Sequence, residues 1–360
     1  MRQKEKILFF ELCNFNRKNS KKLNKLIEAG ATPTVLGHLF FNRMAASAYG
    51  ELKKLGMLGK VNREFRNSLK IAYDQSIEKN NSYYTCVKLL SEILKNANVK
   101  YAMLKGAILC NIYPEGYRTA NDVDLLVRSE DVSQIGELLT SAGFKQGYIR
   151  DGEFVKATRK EIIESKMTRG ETVPYILEVN LPEMRFFEVD INFSLDYKNS
   201  DSNNVEDMLS RTKIWEVGGL EIMSLNKYDF FIHLCCHLYK EATTLPWVKM
   251  KRDMTLYKFS DIYMLLSKFI RTDIWAMFTR ADELGLAEIC SCVILWTTSL
   301  FNIKNDYAIE MSNSHLQGKR KMLLRVIFPS ENKEYEYIEE NIRKRFFAND
   351  RMELLKEVQK

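Results

Sequence analysis

The sequence predicts an α+β protein, a small mixed β-sheet flanked by an N-terminal and a C-terminal helical subdomain. Three observations carry that prediction. Apolar residues recur at helical spacing through residues 1–97 and again from residue 224 onward. Between these parts lie short apolar runs of strand length, separated by helical patterns. Only 6 Pro and 16 Gly punctuate 360 residues, which suits a helix-rich chain without a long disordered linker. The division expected is 1–97, 98–222 and 223–360.

Composition narrows the class further. A hydrophobic share of 46% supports well-formed cores. Net charge is 54 − 47 = +7, mild enough for a phosphate-binding groove to account for it as well as nucleic acid would. No run of about 18 apolar residues occurs, so no membrane partner is expected. The start, MRQKEKILFFELCNF, has Glu11 inside its apolar run and no small-residue cleavage site after it. It reads as an amphipathic helix of a cytoplasmic protein. The seven Cys are odd in number and scattered; Cys86, Cys235 and Cys290 lie in apolar helical context, as buried thiols of a reducing compartment do.

In residues 1–97, Leu8, Leu12 and Phe15 share a helix face, as do Val87, Leu90, Ile93 and Leu94. Thr32-Pro33-Thr34 marks a helix start. His38 falls in the apolar stretch 35–41 and reads as a packed side chain. Gly56 and Gly59 bracket a turn, and a helix over 83–96 leads into the central stretch.

That stretch, 99–128, holds two strand-length apolar runs, 99–104 and 123–127. Between them stand Lys105-Gly106, Tyr113-Pro114, Arg118 and the pair Asp122-x-Asp124. Residues two apart on a strand point to the same face, so the two carboxylates project together while Val123 and Leu125 enter a core. Paired carboxylates repel, and a divalent cation with hard oxygen ligands, magnesium above all, relieves the repulsion. Ser129-Glu130-Asp131 opens a helix whose face is Val132, Ile135, Leu138 and Leu139, and Gly143 ends it.

A strand is expected over 144–149 and a solvated basic loop or helix over 153–170. Strands over 175–179 and 186–193 flank a turn at 180–183. In the second, Glu188, Asp190 and Asn192 share one face opposite Val189, Ile191 and Phe193. From Ser224 the pattern is helical. His233 and His237 share a helix face near Cys236, but Leu234 stands where a zinc protease carries Glu, so zinc is not expected. Asp261 sits in the apolar helix pattern Phe259, Ile262, Tyr263, Leu265 and Leu266, where a salt bridge and a functional role both fit. Lys249, Lys251 and Arg252 read as solvated surface. Residues 273–360 read as further helices, with a charged tail from 331.

Leu104-Lys105-Gly106, Tyr113…Arg118 and Asp122-Val123-Asp124-Leu125-Leu126-Val127, in that order within one strand–helix–strand unit, resemble the bacterial uncharacterised nucleotidyltransferase family. That family belongs to the DNA polymerase β-type superfamily. Two departures stand out. Ala107 follows Gly106 where the superfamily usually has Gly-Ser or Gly-Gly, and Lys105 is the residue that could compensate. The family's Glu-x-His-Trp aligns with Asp190-Ile191-Asn192-Phe193, with Asn in place of His. His237 and Asp261 match the family's later helix residues.

The resemblance implies transfer of an NMP group from an NTP, foremost ATP, to a hydroxyl-bearing acceptor, with release of pyrophosphate. It implies two magnesium ions, replaceable by manganese, on Asp122, Asp124 and Asp190. Lys105 and Gly106 would hold the phosphates, and Arg118 would bind one in bidentate fashion. Glu178 is the rival for the third carboxylate. A small molecule, peptide or protein hydroxyl is a better acceptor candidate than nucleic acid, since the basic residues are scattered. An inactive fold that only binds a partner, and an RNA-modifying transferase or toxin, are the alternative readings.

Overall fold

The computed structural model describes residues 1–15, 21–95, 97–195 and 202–358. The expected helix end at Asn96 and the last two residues of the charged tail lie outside them. Contacts divide the chain into two compact units, residues 74–230 and residues 1–73 with 231–360. The expected boundaries at 97 and 222 follow chain order; contacts instead group both helical ends into one unit and leave the middle as the other.

The chain opens with α1 (Gln3–Leu12), α2 (Lys21–Gly30), α3 (Pro33–Phe41), α4 (Ala45–Lys54) and the long α5 (Arg63–Leu94). Thr32 caps α3 by accepting the Val35 N–H, with Pro33 in the first turn as the sequence predicts.

The unit 74–230 is built on a six-stranded mixed sheet. Its strands are β1 (Tyr101–Met103), β2 (Asp122–Val127), β3 (Lys145–Arg150), β4 (Glu153–Lys156), β5 (Tyr175–Leu181) and β6 (Met184–Asn192), in the order β1-β2-β6-β5-β3-β4. β1 and β2 are antiparallel, with Tyr101 opposite Val127 and Met103 opposite Leu125. The Leu104 N–H continues that ladder to the Asp124 carbonyl at 2.9 Å. β2 and β6 run parallel, Val123 beside Val189 and Leu125 beside Ile191.

Helices α6 (Gly106–Ile112), α7 (Val132–Ser141), α8 (Arg159–Arg169) and α9 (Ser202–Ser210) join the strands. Val123, Leu125, Val189, Ile191, Ile135, Leu139 and Phe187 are fully buried. Each contributes roughly 1.5–3 kcal/mol of hydrophobic stabilisation. The stretch 153–170, expected as a solvated loop or helix, is the edge strand β4 followed by α8. Thr158 and Glu161 form a reciprocal capping box at the start of α8.

A hairpin of β7 (Lys213–Val217) and β8 (Leu220–Ser224) was not anticipated. Gly218 and Gly219 form its two-residue turn with φ of 57° and 79°, a conformation that favours glycine at both places. Ser224 ties this hairpin to β1 by donating to the Met103 carbonyl at 2.5 Å.

The other unit combines α1–α4 with α10 (Lys227–Ala242), α11 (Leu245–Lys249), α12 (Leu256–Leu266), α13 (Arg271–Glu283), α14 (Ala287–Phe301) and α15 (Asp306–His315). Phe9 and Phe10 of α1 pack edge-on and tilted against Phe346 and Phe347, with Phe301 of α14 beside Phe10. The expectation of helices to the C-terminus is corrected. A three-stranded antiparallel sheet of β9 (Arg325–Phe328), β10 (Lys333–Tyr337) and β11 (Leu355–Glu357) closes the chain, with α16 (Ile342–Phe346) inserted. Its charged residues alternate with Tyr335 and Tyr337, and Tyr337 buries against Val326, Leu245 and Val248. Packing of Tyr337, with Tyr335 partly buried beside it, overrides the charge-rich composition that suggested a helix. Asp253 and Arg351 form a buried bidentate ion pair beneath this sheet, with N–O distances of 2.8 and 2.6 Å.

All seven cysteines are buried and unpaired by disulfides. Among the described residues no helix is long and apolar enough to cross a membrane.

Candidate active site

The parallel register of β2 and β6 builds an acidic face. Asp122 lies beside Glu188 and, two residues on, Asp124 lies beside Asp190. The intervening Val123, Val189, Leu125 and Ile191 point into the core, so all four carboxylates share the other face. Register is secured because a slip of one residue would bury the acids and expose the valines and isoleucine.

Asp124 is the most deeply set, 4% exposed. Its Oδ1 accepts the Lys105 ammonium at 2.5 Å and the Asn192 Nδ2 at 3.2 Å. Burial raises the Asp124 carboxyl, the Lys105 charge pulls it back down, and Asp122 and Glu171 raise it again. Asp190 is pushed well above the usual carboxylate range, first by burial and then by Asp124, Asp122 and Glu171, with Lys105 opposing. Glu188 is raised by burial and by Asp122, with Lys79 opposing. Burial leads in all three shifts, and the neighbouring carboxylates add to it while the lysines oppose it.

Lys105 follows β1 with φ 46° and ψ −112°, a left-handed conformation that costs a non-glycine residue on the order of 1–3 kcal/mol. That backbone turn delivers its ammonium to Asp124. Gly106 is required for a reason the sequence did not show. A Cβ there would stand 2.3 Å from the Ala120 Cβ and 2.9 Å from the Tyr83 hydroxyl. Its smallness serves packing against α5 and the loop before β2. The N–H groups of Ala107 and Ile108 already bond the carbonyls of Leu104 and Lys105.

Arg118 lies on the loop from α6 to β2. That loop is pinned to α5: Ser76 donates to the Gly116 carbonyl at 2.7 Å and Asn80 to the Arg118 carbonyl at 2.8 Å. The Arg118 guanidinium folds back onto the Thr119 carbonyl. Tyr83 completes the support by donating to the Asp122 carbonyl at 3.0 Å.

The two rivals for a third carboxylate lie at different places on the sheet. Asp190 stands beside Asp124. Glu178 pairs across the sheet with Phe186, and its carboxylate accepts Arg185 Nε at 3.1 Å in an exposed cluster with Glu153. His237 and Asp261 belong to the helical unit. His237 Nε2 lies 3.5 Å from Glu241, which also pairs with Lys258, and Asp261 is buried in α12. His233, four residues before His237, is buried.

Glu171 went unremarked in the sequence. It forms an antiparallel bridge with Asn192 and pairs with Arg169 at the end of α8. The signal was there: Gly170 ends a helix, with φ 66°, and Glu171-Thr172-Val173 before Pro174 is strand-like. Tyr83 gave no signal beyond its place in a helical stripe.

The donor set fits magnesium in kind. It is all carboxylate oxygen, gathered on alternate rungs, with the Lys105 ammonium paired to Asp124 among them. Among the described residues no three acid, His or Cys side chains are closed around one point.

The sequence family described as uncharacterised nucleotidyltransferase matches residues 34–302, more than half of the chain. The chain belongs to that family, and the enzyme class is accordingly that of a nucleotidyltransferase. No curated protein matches it. Among solved structures it is similar to an antigenic nucleotidyltransferase-like protein from Paracoccidioides brasiliensis, at 14% identity and a TM-score of 0.34. That alignment covers 58% of this chain and 91% of the other. A second similarity is to the antibiotic-resistance factor ANT(2'')-Ia, at 8% identity and a TM-score of 0.32, covering 57% of this chain and 96% of the other.

Proposed function

We propose that the protein is a metal-dependent nucleotidyltransferase of the DNA polymerase β type. It moves an NMP group from an NTP, foremost ATP, to a hydroxyl of a small-molecule, peptide or protein acceptor and releases pyrophosphate. The observation that carries this reading is the rung Asp124–Asp190 beside the rung Asp122–Glu188 on one sheet face. Asp122 and Asp124 would hold two divalent ions, and Asp190 the ion on the acceptor side. Bound there, the ions supply charge for the triphosphate and acidify the acceptor hydroxyl.

The chain's own residues do the rest. Lys105 brings a compact positive charge to the acidic face, suited to a triphosphate oxygen. Arg118 offers a planar guanidinium from the loop that enters β2, suited to a second phosphate oxygen. Gly106 keeps the turn close against Ala120 and Tyr83, which fixes where Lys105 emerges. Asn192 holds the Asp124 carboxylate by its Nδ2, in the place of the family's His. A cytoplasmic setting supplies both NTP and magnesium.

The test is to incubate the protein with each α-labelled NTP, magnesium and a cell extract, and to find which fraction takes up label. The expected result is label in one acceptor fraction with equal release of pyrophosphate. Absence of uptake from every NTP would contradict the reading.

A further inference from the structure

Glu171 has a place in the fold that the transferase reading leaves unused. The segment after α8 returns to the sheet and pairs with the end of β6. The Thr172 N–H bonds the Ile191 carbonyl at 2.9 Å, and the Phe193 N–H bonds the Gly170 carbonyl at 3.0 Å. Between these bonds Glu171 stands directly opposite Asn192. Residues opposite one another on antiparallel strands send their side chains to the same face. Asn192 shares its face with Asp190, two residues earlier, so Glu171 joins the acidic face.

The spacings are short. Opposed Cα atoms lie about 4.5–5.5 Å apart, and Asn192 lies about 7 Å along the strand from Asp190. The segment is anchored as well. The Ser165 hydroxyl donates to the Glu171 carbonyl at 3.1 Å, and the Arg169 guanidinium pairs with the Glu171 carboxylate. The side chain is 21% exposed, open to a bound molecule.

Asp122, Asp124 and Asp190 are committed to cations in the proposed reaction. A carboxylate whose lone pairs face a divalent ion is a poor proton acceptor, yet the acceptor hydroxyl must lose its proton as it attacks. Glu188 lies on the rung at the other end of the face, beside Asp122. Glu171 lies past Asp190, on the β5 side, against a side chain that is itself a hydrogen-bonded amide.

Resting on the transferase reading, we propose that Glu171 is the catalytic base that takes the proton of the acceptor hydroxyl. The acceptor O–H proton passes to a Glu171 oxygen, and the acceptor oxygen forms the new bond to the α-phosphorus. The bond from that phosphorus to the α,β-bridging oxygen breaks, and pyrophosphate leaves with the electron pair. Arg169 holds the carboxylate in place through the cycle.

The test compares wild type, Glu171→Gln and Glu171→Ala in the α-labelled ATP and extract assay, beside titration of each protein with manganese alone. Gln keeps the size of the side chain and a hydrogen bond to Arg169 while removing the basic oxygen. The expected result is a fall in kcat of about 10²–10⁴-fold in Glu171→Gln, with KM for ATP and manganese affinity unchanged. Added formate should restore part of the rate of Glu171→Ala, which a structural role would not allow. Wild-type kcat in Glu171→Gln, or a loss of manganese affinity that accounts for the lost rate, would overturn the assignment while leaving the transferase reading intact. Absence of label transfer by the wild-type protein would overturn that reading and the assignment with it.

Discussion

At the scale of single residues, the acids of β2 and β6 are alike in chemistry but differ in partners. Asp124 has a nearly buried ion pair with Lys105, whereas Asp190 is bordered by other carboxylates. Asp122→Asn and Asp124→Asn should each lower transfer by about a hundredfold or more, since each removes a charge worth several kcal/mol to the transition state. In EDTA, Asp124→Asn and Asp190→Asn should depart from the parent's stability in opposite directions. Asp124→Asn leaves the Lys105 ammonium without its carboxylate and should lower the melting temperature, because breaking a buried pair costs more than the pair is worth. Asp190→Asn removes repulsion and should raise it. Thermal melts of the three proteins in EDTA check this, and an Asp124→Asn variant more stable than the parent would count against the pairing.

The contrast between Asp190 and Glu178 belongs to the same scale. Asp190→Ala should lower the transfer rate far more than Glu178→Ala, with nucleotide affinity changed little in either. Glu178 is occupied by Arg185 at the turn end of the β5–β6 hairpin, so its removal disturbs only an exposed ion pair worth roughly 0–1 kcal/mol. Equal losses in steady-state kinetics would reverse the roles.

Among the elements, the turn from β1 into α6 is closely constrained. Gly106→Ala forces a Cβ to 2.3 Å from Ala120 and should destabilise by about 1–3 kcal/mol, as overpacking does. Urea unfolding with an unchanged m-value is the measurement. The start of α1 offers a pH-dependent case. The Glu5 carboxylate accepts the Arg2 N–H at 2.7 Å and the Thr32 hydroxyl at 3.0 Å, and its pKa is lowered to about 2, the Arg2 backbone N–H being the largest cause. A lowered acid contributes stability above its unfolded pKa of about 4.3 and loses it as pH falls toward about 2. Glu5→Gln should therefore be less stable than wild type at pH 7, with the difference fading below pH 4. A difference independent of pH would contradict this.

The elements also show what the sequence could and could not disclose. β1, β2, β5 and β6 were legible because each carries an apolar run or an alternation that admits one register. The acidic face followed from that alternation alone. The β7–β8 hairpin was missed although Gly218-Gly219 marks its turn, because its strands are only five residues each and most of their side chains lie outside the core. The sheet β9–β11 was missed because charged residues dominate it and only Val326 and Tyr337 of its strands are buried. Glu171-Thr172-Val173 has a strand-like pattern, but nothing in it tells that its partner is Asn192, twenty-one residues on. The packing role of Gly106 depends on Ala120 and Tyr83, which sequence proximity cannot bring together.

For the molecule as a whole, the chain belongs to a nucleotidyltransferase family, and its middle unit carries four carboxylates on one sheet face with a lysine among them. The role proposed for this face is nucleotidyl transfer with the help of divalent ions. The most direct measurement uses ATP labelled at the α- or the γ-phosphate, with magnesium or with EDTA, and follows label into acceptor. Incorporation is expected from the α-label alone, in the presence of magnesium, with pyrophosphate released in equal amount. Incorporation from the γ-label, or transfer undiminished by EDTA, would contradict it.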